Sequence, residues 1–387
     1  MSSLCRLVFQ PIKCYDLSMQ KPILAIITHS IRTDNHLPLK YFKDFDVRHF
    51  YLEAPYGDLK EQDLANTIKW DSFKDLEKKL IDLNPDLIQG AETYASKIAL
   101  RICLLTMKVA KKLNKPYFFP TLENRPTKER FNPVTGLIVK NILKKYAQNA
   151  SLIYYLNEGA KTNLEEVGAD PEKLKKALYG IWGIDTYLFK PIIHSPLRDK
   201  KYILFVGRWV EEKGLVYLLA AWNSIKARNP DVDLVFIGSG AMDKDISGSQ
   251  IQKLGQMKNT DLPPYFSHAL FTVYPSVTFK RWEEQVGTVN LQSLACGTPV
   301  LTTTSGAIPE FVTNEVGVLV PEKDAGALAE AMENLIKNSD FRQNLAKNAR
   351  PYILEKFDAE KSVAKIEQEL LEILKVQTKS GLKEKNG

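Results

Sequence analysis

The stretch Tyr274–Glu310, YPSVTFKRWEEQVGTVNLQSLACGTPVLTTTSGAIPE, decides how this chain is read. It starts at the end of an apolar run, Leu270 to Tyr274, which has the length and composition of a buried strand. A Pro-Ser turn and a polar loop ending in Glu283-Glu284-Gln285 follow. The spacing predicts a helix from about Val286 to Cys296, stopped by Gly297 and by Pro299 just beyond. Val300 to Thr303 is then a second buried strand, and Ser305 to Glu310 a turn. Strand, loop, helix, strand is the crossover unit of a parallel sheet. Such sheets bind ligands outside the carboxyl ends of their strands, where Glu284 and the first helical turn lie. The helix start, at Gly287-Thr288, offers unpaired N–H groups and a positive dipole end suited to phosphate. Glu284 and Gln292 stand at most ~12 Å apart if all the intervening chain is helical, a span that fits a sugar and a ribose of one ligand. Thr288 and Gln292 share a helix face.

The stretch resembles the signature of the retaining glycosyltransferases of family 4, which have the GT-B fold. Glu284 matches the first Glu of that signature. Gln292 stands where a second Glu is expected, followed by Ser293-Leu294-Ala295-Cys296-Gly297-Thr298-Pro299-Val300. In the family the second Glu generally holds the ribose hydroxyls. An amide there still makes hydrogen bonds, without charge, so altered donor binding is expected.

A second segment supports the resemblance. Tyr202 to Val206 reads as a strand, and Gly207-Arg208-Trp209-Val210-Glu211-Glu212-Lys213-Gly214 follows it. This turn resembles the family's GR-x-x-x-EKG. Arg208 and Lys213 are expected to share a phosphate-sized pocket, one with a planar guanidinium and one with a point charge. Asp233 to Gly240 reads as a strand with a glycine turn resembling the family's G-x-G, so Gly238 is placed near the nucleotide. Asp231-Val232-Asp233 has the look of an Asp-x-Asp metal motif but precedes a strand, at the end away from ligand, and is read as a turn.

With 387 residues and 44% hydrophobic content, the chain has material for two cored domains. No apolar run reaches the ~20 residues of a membrane span, and the N-terminus lacks a signal-peptide core. Cys5, Cys14, Cys103 and Cys296 show neither disulfide nor metal spacing, which fits a reducing cytoplasm. The net charge is +7, with lysines clustered at 108–115, 140–145 and 173–176. They form either a solvated face or a basic patch for anionic lipid or a polyanionic acceptor. Nucleic-acid motifs are absent.

In the first half, Ile23 to Ile27 reads as the first strand, and Ser30 to His36 as a loop without the glycines usual in GT-B enzymes. Val47 to Leu52 is a further strand and Pro85 to Gly90 a short strand and turn, with helices at 72–83 and 95–113. Lys115 to Phe119 leads into Pro120-Thr121-Leu122-Glu123-Asn124-Arg125-Pro126, where many relatives carry a histidine. Glu123 and Asn124 are therefore acceptor-side candidates, together with His29; Glu123 alternatively caps the helix beginning at Pro133. Leu178 to Pro191 resembles the element that ends the first domain of the family.

The expected layout is an extension at 1–19, a Rossmann-like acceptor domain at 20–192 joined by a terminal helix at 358–376, a nucleotide-sugar domain at 200–356 and a disordered tail at 377–387. The resemblance implies an α/β GT-B fold, two parallel-sheet domains facing a cleft. It implies sugar transfer from a nucleotide-diphosphate sugar to a glycan or lipid-linked hydroxyl, with no metal and no cofactor. Arg208, Lys213 and Glu284 carry the chemistry in this reading. Gly207, Gly238, Gln285, Val286, Gly287, Thr288 and Gln292 bind donor. Peripheral contact with the inner face of a membrane is expected through the basic first domain. The rivals are a GT-B protein that binds nucleotide-sugar without turnover, and another GT-B enzyme such as a phosphorylase or epimerase.

Overall fold

A computed structural model of the chain describes residues 20–54, 59–178, 182–194, 197 and 200–384, with side chains through Val376. The expected extension, residues 179–181 of the 178–191 element, and residues 195, 196, 198 and 199 between the two expected domains lie outside the described residues. Two wholly parallel sheets form the frame. The first holds β1 (Ile23–Ile27), β2 (Asp46–Tyr51), β3 (Thr67–Lys69), β4 (Leu87–Gln89), β5 (Tyr117–Thr121), β6 (Leu152–Tyr155) and β7 (Leu174–Lys176), in the order β3-β2-β1-β4-β5-β6-β7. The second holds β8 (Lys201–Val206), β9 (Val232–Ile237), β10 (Ile251–Gly255), β11 (Thr272–Tyr274), β12 (Val300–Thr303) and β13 (Gly317–Val320), in the order β10-β9-β8-β11-β12-β13. This is the GT-B architecture.

Helices cover both faces of each sheet, so the strands read as apolar runs rather than alternating ones. Tyr202, Ile203, Leu204 and Phe205 are all fully buried, their side chains divided between two separate cores. Ser72, Ser96, Asn132 and Asn157 each accept a backbone N–H of the first turn that follows them, fixing where their helices begin. In each sheet the strand order reverses once, between β1 and β4 and between β8 and β11. Those are the points where loops diverge and leave a crevice.

The final helix, Ala359–Glu384, runs past the boundary expected at 376. Its Val363, Ile366 and Leu370 pack against Leu24, Ile26, Phe42 and Trp182 of the first domain. The edge strands β3 and β7 escape sequence reading because each is three residues long and carries lysine, a composition that protects edges and hides strands. The segment read as a loop after β1 instead forms short helical turns at Thr33–His36 and Leu37–Tyr41.

Beneath those turns lies a closed chain of hydrogen bonds. His36 Nε2 meets the Asp63 carbonyl at 2.6 Å, the two Nδ1 atoms of His36 and His49 are 2.9 Å apart, and His49 Nε2 is 2.8 Å from Thr28 Oγ1. A carbonyl only accepts, so His36 carries its proton on Nε2. Its Nδ1 then accepts from His49, whose Nε2 accepts from the Thr28 hydroxyl. Burial lowers the pKa of both imidazoles, that of His49 to about 3.

Candidate active site between the domains

The two crevices face each other across a cleft of about 480 Å³. The loops after β1, β4 and β5 supply Arg32, Glu92, Tyr94 and Glu123; those after β8 and β11 supply Arg208, Lys213 and the run from Trp282 to Val289. At its floor Lys213 donates to Glu284, and both side chains are buried. Ser276 Oγ donates to the same carboxylate oxygen at 2.8 Å. The Lys213 ammonium sits 4.9 Å from the Tyr274 ring centroid and 4.5 Å from that of Trp282. Burial lowers the Lys213 pKa; Glu284 opposes that shift. Gly214 makes the arrangement sterically feasible. It has φ +70, and a Cβ on it would lie 1.8 Å from the Pro275 carbonyl oxygen. Only a glycine lets the β8 loop close onto the β11 loop and set Lys213 beside Glu284.

Arg208 lines the cleft with Lys213, as the spacing suggested, but points to solvent and pairs with Glu212 at 3.3 Å. Gln285, Val286, Gly287 and Thr288 also line it. Gly287, at φ +73, caps the helix Thr288–Ala295, which is shorter at both ends than the span expected from sequence. Gln292 does not line this cleft. Its amide donates to Asn259 Oδ1 at 3.3 Å, and it lines a narrow adjoining cavity that shares Asp34 and Thr288 with the cleft and also holds Asp185. The helix starts four residues after Glu284, so the continuous helical span assumed between Glu284 and Gln292 does not exist. Gly207 and Gly238 also lie outside the cleft lining; a Cβ on Gly238 would lie 1.9 Å from the Gly207 carbonyl oxygen, so the two backbones pack on each other.

On the facing wall, Glu123 is buried and pairs with Arg130 at 3.0 Å, while accepting the Arg125 N–H. The residue that caps the helix at Pro133 is Asn132, so the capping alternative for Glu123 fails. His29 approaches Glu53 at 3.5 Å and is not part of the cleft wall. Glu92, absent from the sequence analysis, accepts the N–H groups of Leu122 and Glu123 through one carboxylate oxygen. Burial pushes its pKa up to about 7, and the neighbouring Glu123 adds to the rise. Its position at the carboxyl end of β4, beside the strand-order reversal, was the available signal.

Four side chains of the first domain hold the loop 279–285 of the second. Arg125 donates to the carbonyl of Phe279, Arg130 to that of Arg281, Asn124 to that of Glu284 and Asn157 to that of Gln285. Phe279 and Trp282 close a tight turn through paired backbone bonds, which delivers the Trp282 indole to the cleft. The Glu284 carbonyl also accepts from Ala307, and Gly306 packs beneath it with φ +53.

Comparison with known proteins bears on the fold and on the second domain. Residues 191–352, which span the second domain, match the family model of glycosyl transferases group 1. Among curated proteins, a putative glycosyltransferase, YtcC, of Bacillus subtilis is 27% identical over 54% of this chain and 57% of its own length. The capsular polysaccharide biosynthesis glycosyltransferase CapM of Staphylococcus aureus is 30% identical over 46% of this chain and 47% of its own. The chain thus spans about half the length of the curated relatives it matches. The solved structure of Anabaena Alr3699/HepE in complex with UDP superposes with a TM-score of 0.72 at 17% identity, covering 92% of this chain and all of that one. The two-domain fold is therefore shared nearly end to end with a known structure, and the family match lies on the domain that carries Lys213 and Glu284.

Proposed function

We propose that this chain is a glycosyltransferase that moves a sugar, with retention, from a nucleotide-diphosphate sugar to a hydroxyl acceptor. The observation that carries the proposal is the buried Lys213–Glu284 pair, set beside a helix start at the mouth of two opposed crevices. In this reading Lys213, Arg208 and the N–H groups at Gly287-Thr288 take the negative charge that develops on the departing diphosphate, in place of a metal. Glu284 accepts hydrogen bonds from the donor sugar and keeps Lys213 charged despite its burial. Gly306 and Ala307 shape the sugar side of the floor. Glu123 and Asn124 border the acceptor side. The departing phosphate oxygen takes the acceptor proton, so no protein base is assigned. The cleft excludes water when the domains close, which suppresses hydrolysis. We place the protein in the cytoplasm, with peripheral contact at the inner membrane face through the basic side of its first domain. Support comes from the family match, the fold of a UDP-bound neighbour and the cleft chemistry.

The test is a panel of nucleotide-sugars incubated with the protein, read as release of free nucleoside diphosphate in the presence of candidate acceptors. Release that disappears in Lys213→Met and Glu284→Gln supports the assignment. Binding without release would favour the non-catalytic alternative. Release that depends on inorganic phosphate would identify a phosphorylase.

A further inference from the structure

We propose that the turn from Thr278 to Glu283 is a lid over Lys213. Its Trp282 indole caps the ammonium, the first domain holds it shut, and a diphosphate reaches Lys213 only when it lifts. The inference rests on the reading of Lys213 as a diphosphate ligand and deepens it. The first observation is that Lys213 is enclosed. Its ammonium donates to Glu284 and to no other group among the described residues. The Tyr274 and Trp282 rings lie over it at 4.9 and 4.5 Å, and the residue is 7% exposed. A desolvated ammonium between two rings is well satisfied, and it turns no open face to a phosphate oxygen. Arg208 lines the same cleft with its side chain 61% exposed, so it is the cation an arriving diphosphate meets first.

The second observation is which wall can move. Tyr274 ends strand β11 and packs in the core with Phe205 and Leu301. Glu284 is fixed at its carbonyl by Asn124 and Ala307 and at its carboxylate by Ser276. Trp282 belongs to none of the four hydrophobic cores and is half-buried. Lys280 and Arg281 beside it are exposed, and Phe279 is 40% exposed. A segment that buries so little apolar surface belongs to the low-stability end of a fold and opens at low cost.

The third observation is how the turn is tethered. Its root is pinned at Thr278, whose N–H and hydroxyl both donate to Glu322, the hydroxyl at 2.9 Å. Its far end is pinned at Glu284. Between these points the paired backbone bonds of Phe279 and Trp282 make it one unit. The hydrogen bonds that hold its tip come from the first domain: Arg125 donates to the Phe279 carbonyl at 2.5 Å and Arg130 to the Arg281 carbonyl at 2.6 Å. Separating the domains breaks both grips, so opening the cleft and freeing the lid are a single hinge motion. A phosphate oxygen then replaces the indole face with a charge-assisted hydrogen bond.

The test is calorimetric titration of the full chain with inorganic pyrophosphate, which carries the diphosphate without base or sugar. Trp282→Ala removes the cap and should bind pyrophosphate roughly 3-fold to 30-fold more tightly than wild type, the range of one cation–π contact. Trp282→Phe keeps a ring in place and should give a smaller gain in the same direction. Arg125→Met lies outside the cleft lining and should also tighten binding, and combined with Trp282→Ala it should add little, because both remove one closed state. The part of the tryptophan emission that Trp282→Phe lacks should move to longer wavelength as pyrophosphate binds, since the indole passes from the ammonium to water. Weaker binding in Trp282→Ala makes the indole part of the ligand site and overturns the lid. Unchanged affinity in both Trp282→Ala and Arg125→Met, or an emission that stays in place, overturns it too. Pyrophosphate binding that survives Lys213→Met, or no binding to any of these proteins, overturns the reading of Lys213 together with the lid, so the two failures are distinguishable.

Discussion

Removing either partner of the Lys213–Glu284 pair should cost stability as well as activity, and removing both should cost less than the two singles combined. Both residues are 7% exposed, and the ammonium is walled by two aromatic rings. Lys213→Met keeps most of the contact with Tyr274 and Trp282 but strands a buried carboxylate that loses its cationic partner while still accepting from Ser276. Glu284→Gln strands a buried ammonium. Breaking a buried pair from one side costs about 3–5 kcal/mol. In a domain of this size each kcal/mol moves the melting temperature by roughly 2–4 °C, so each single substitution should lower it by roughly 6–20 °C. The double variant carries no buried charge and should recover at least about 2 kcal/mol of the summed losses. Calorimetry of the four proteins measures this, with and without a nucleoside diphosphate. Ligand at about 100 times its dissociation constant should stabilise the wild type by about 2.7 kcal/mol and leave the double variant unmoved. Strict additivity, or a single substitution that shifts the melting temperature by less than about 2 °C, would refute the pairing as a determinant of the site.

Gly306→Ala should destabilise by roughly 2–4 kcal/mol, because it forces a side chain into left-handed backbone and its Cβ would lie 2.2 Å from the Glu284 carbonyl oxygen; a melting curve matching wild type would contradict it. Glu92 has a folded pKa raised to about 7 above its unfolded value of 4.5, so its contribution to stability is full below pH 4.5 and lost as pH rises through 7. Glu92→Gln should therefore raise the melting temperature at pH 8 more than at pH 5, and the reverse ordering would remove the argument. His49 has a folded pKa depressed from 6.5 to about 3, so the stability it contributes is present above pH 6.5 and is lost as pH falls toward 3. Between pH 6.5 and 4.5 that loss is about 2 kcal/mol, and denaturant titrations should find it reduced in His49→Gln.

The second domain was legible because its physics is local. Its strands are short apolar runs bounded by glycines, and Arg208, Lys213 and Glu284 sit on turns whose residue types announce close backbone approach. The first domain was less legible where its roles depend on distant chain. Glu92 becomes a half-buried acceptor only when the loop at 122–123 folds onto it, and nothing beside it in the sequence announces that loop. Gln292 shows the limit of spacing arguments. Eight positions set how far it can reach, but the late start of the helix decides that it faces Asn259 in a cavity adjoining the cleft. Lysine-bearing β3 and β7 had no apolar signal to read, because edge strands use charge to stay unpaired.

The four side chains that grip the loop 279–285 all take hold of main-chain oxygens. A main-chain oxygen persists under any substitution, so this handhold does not depend on which residues occupy the loop. Lys280, Arg281, Trp282 and Glu283 are thus at liberty to change without loosening the two halves from each other. The fold separates the hinge's grip from the chemistry on display, and a lineage could retune what the cleft prefers by rewriting this short turn alone.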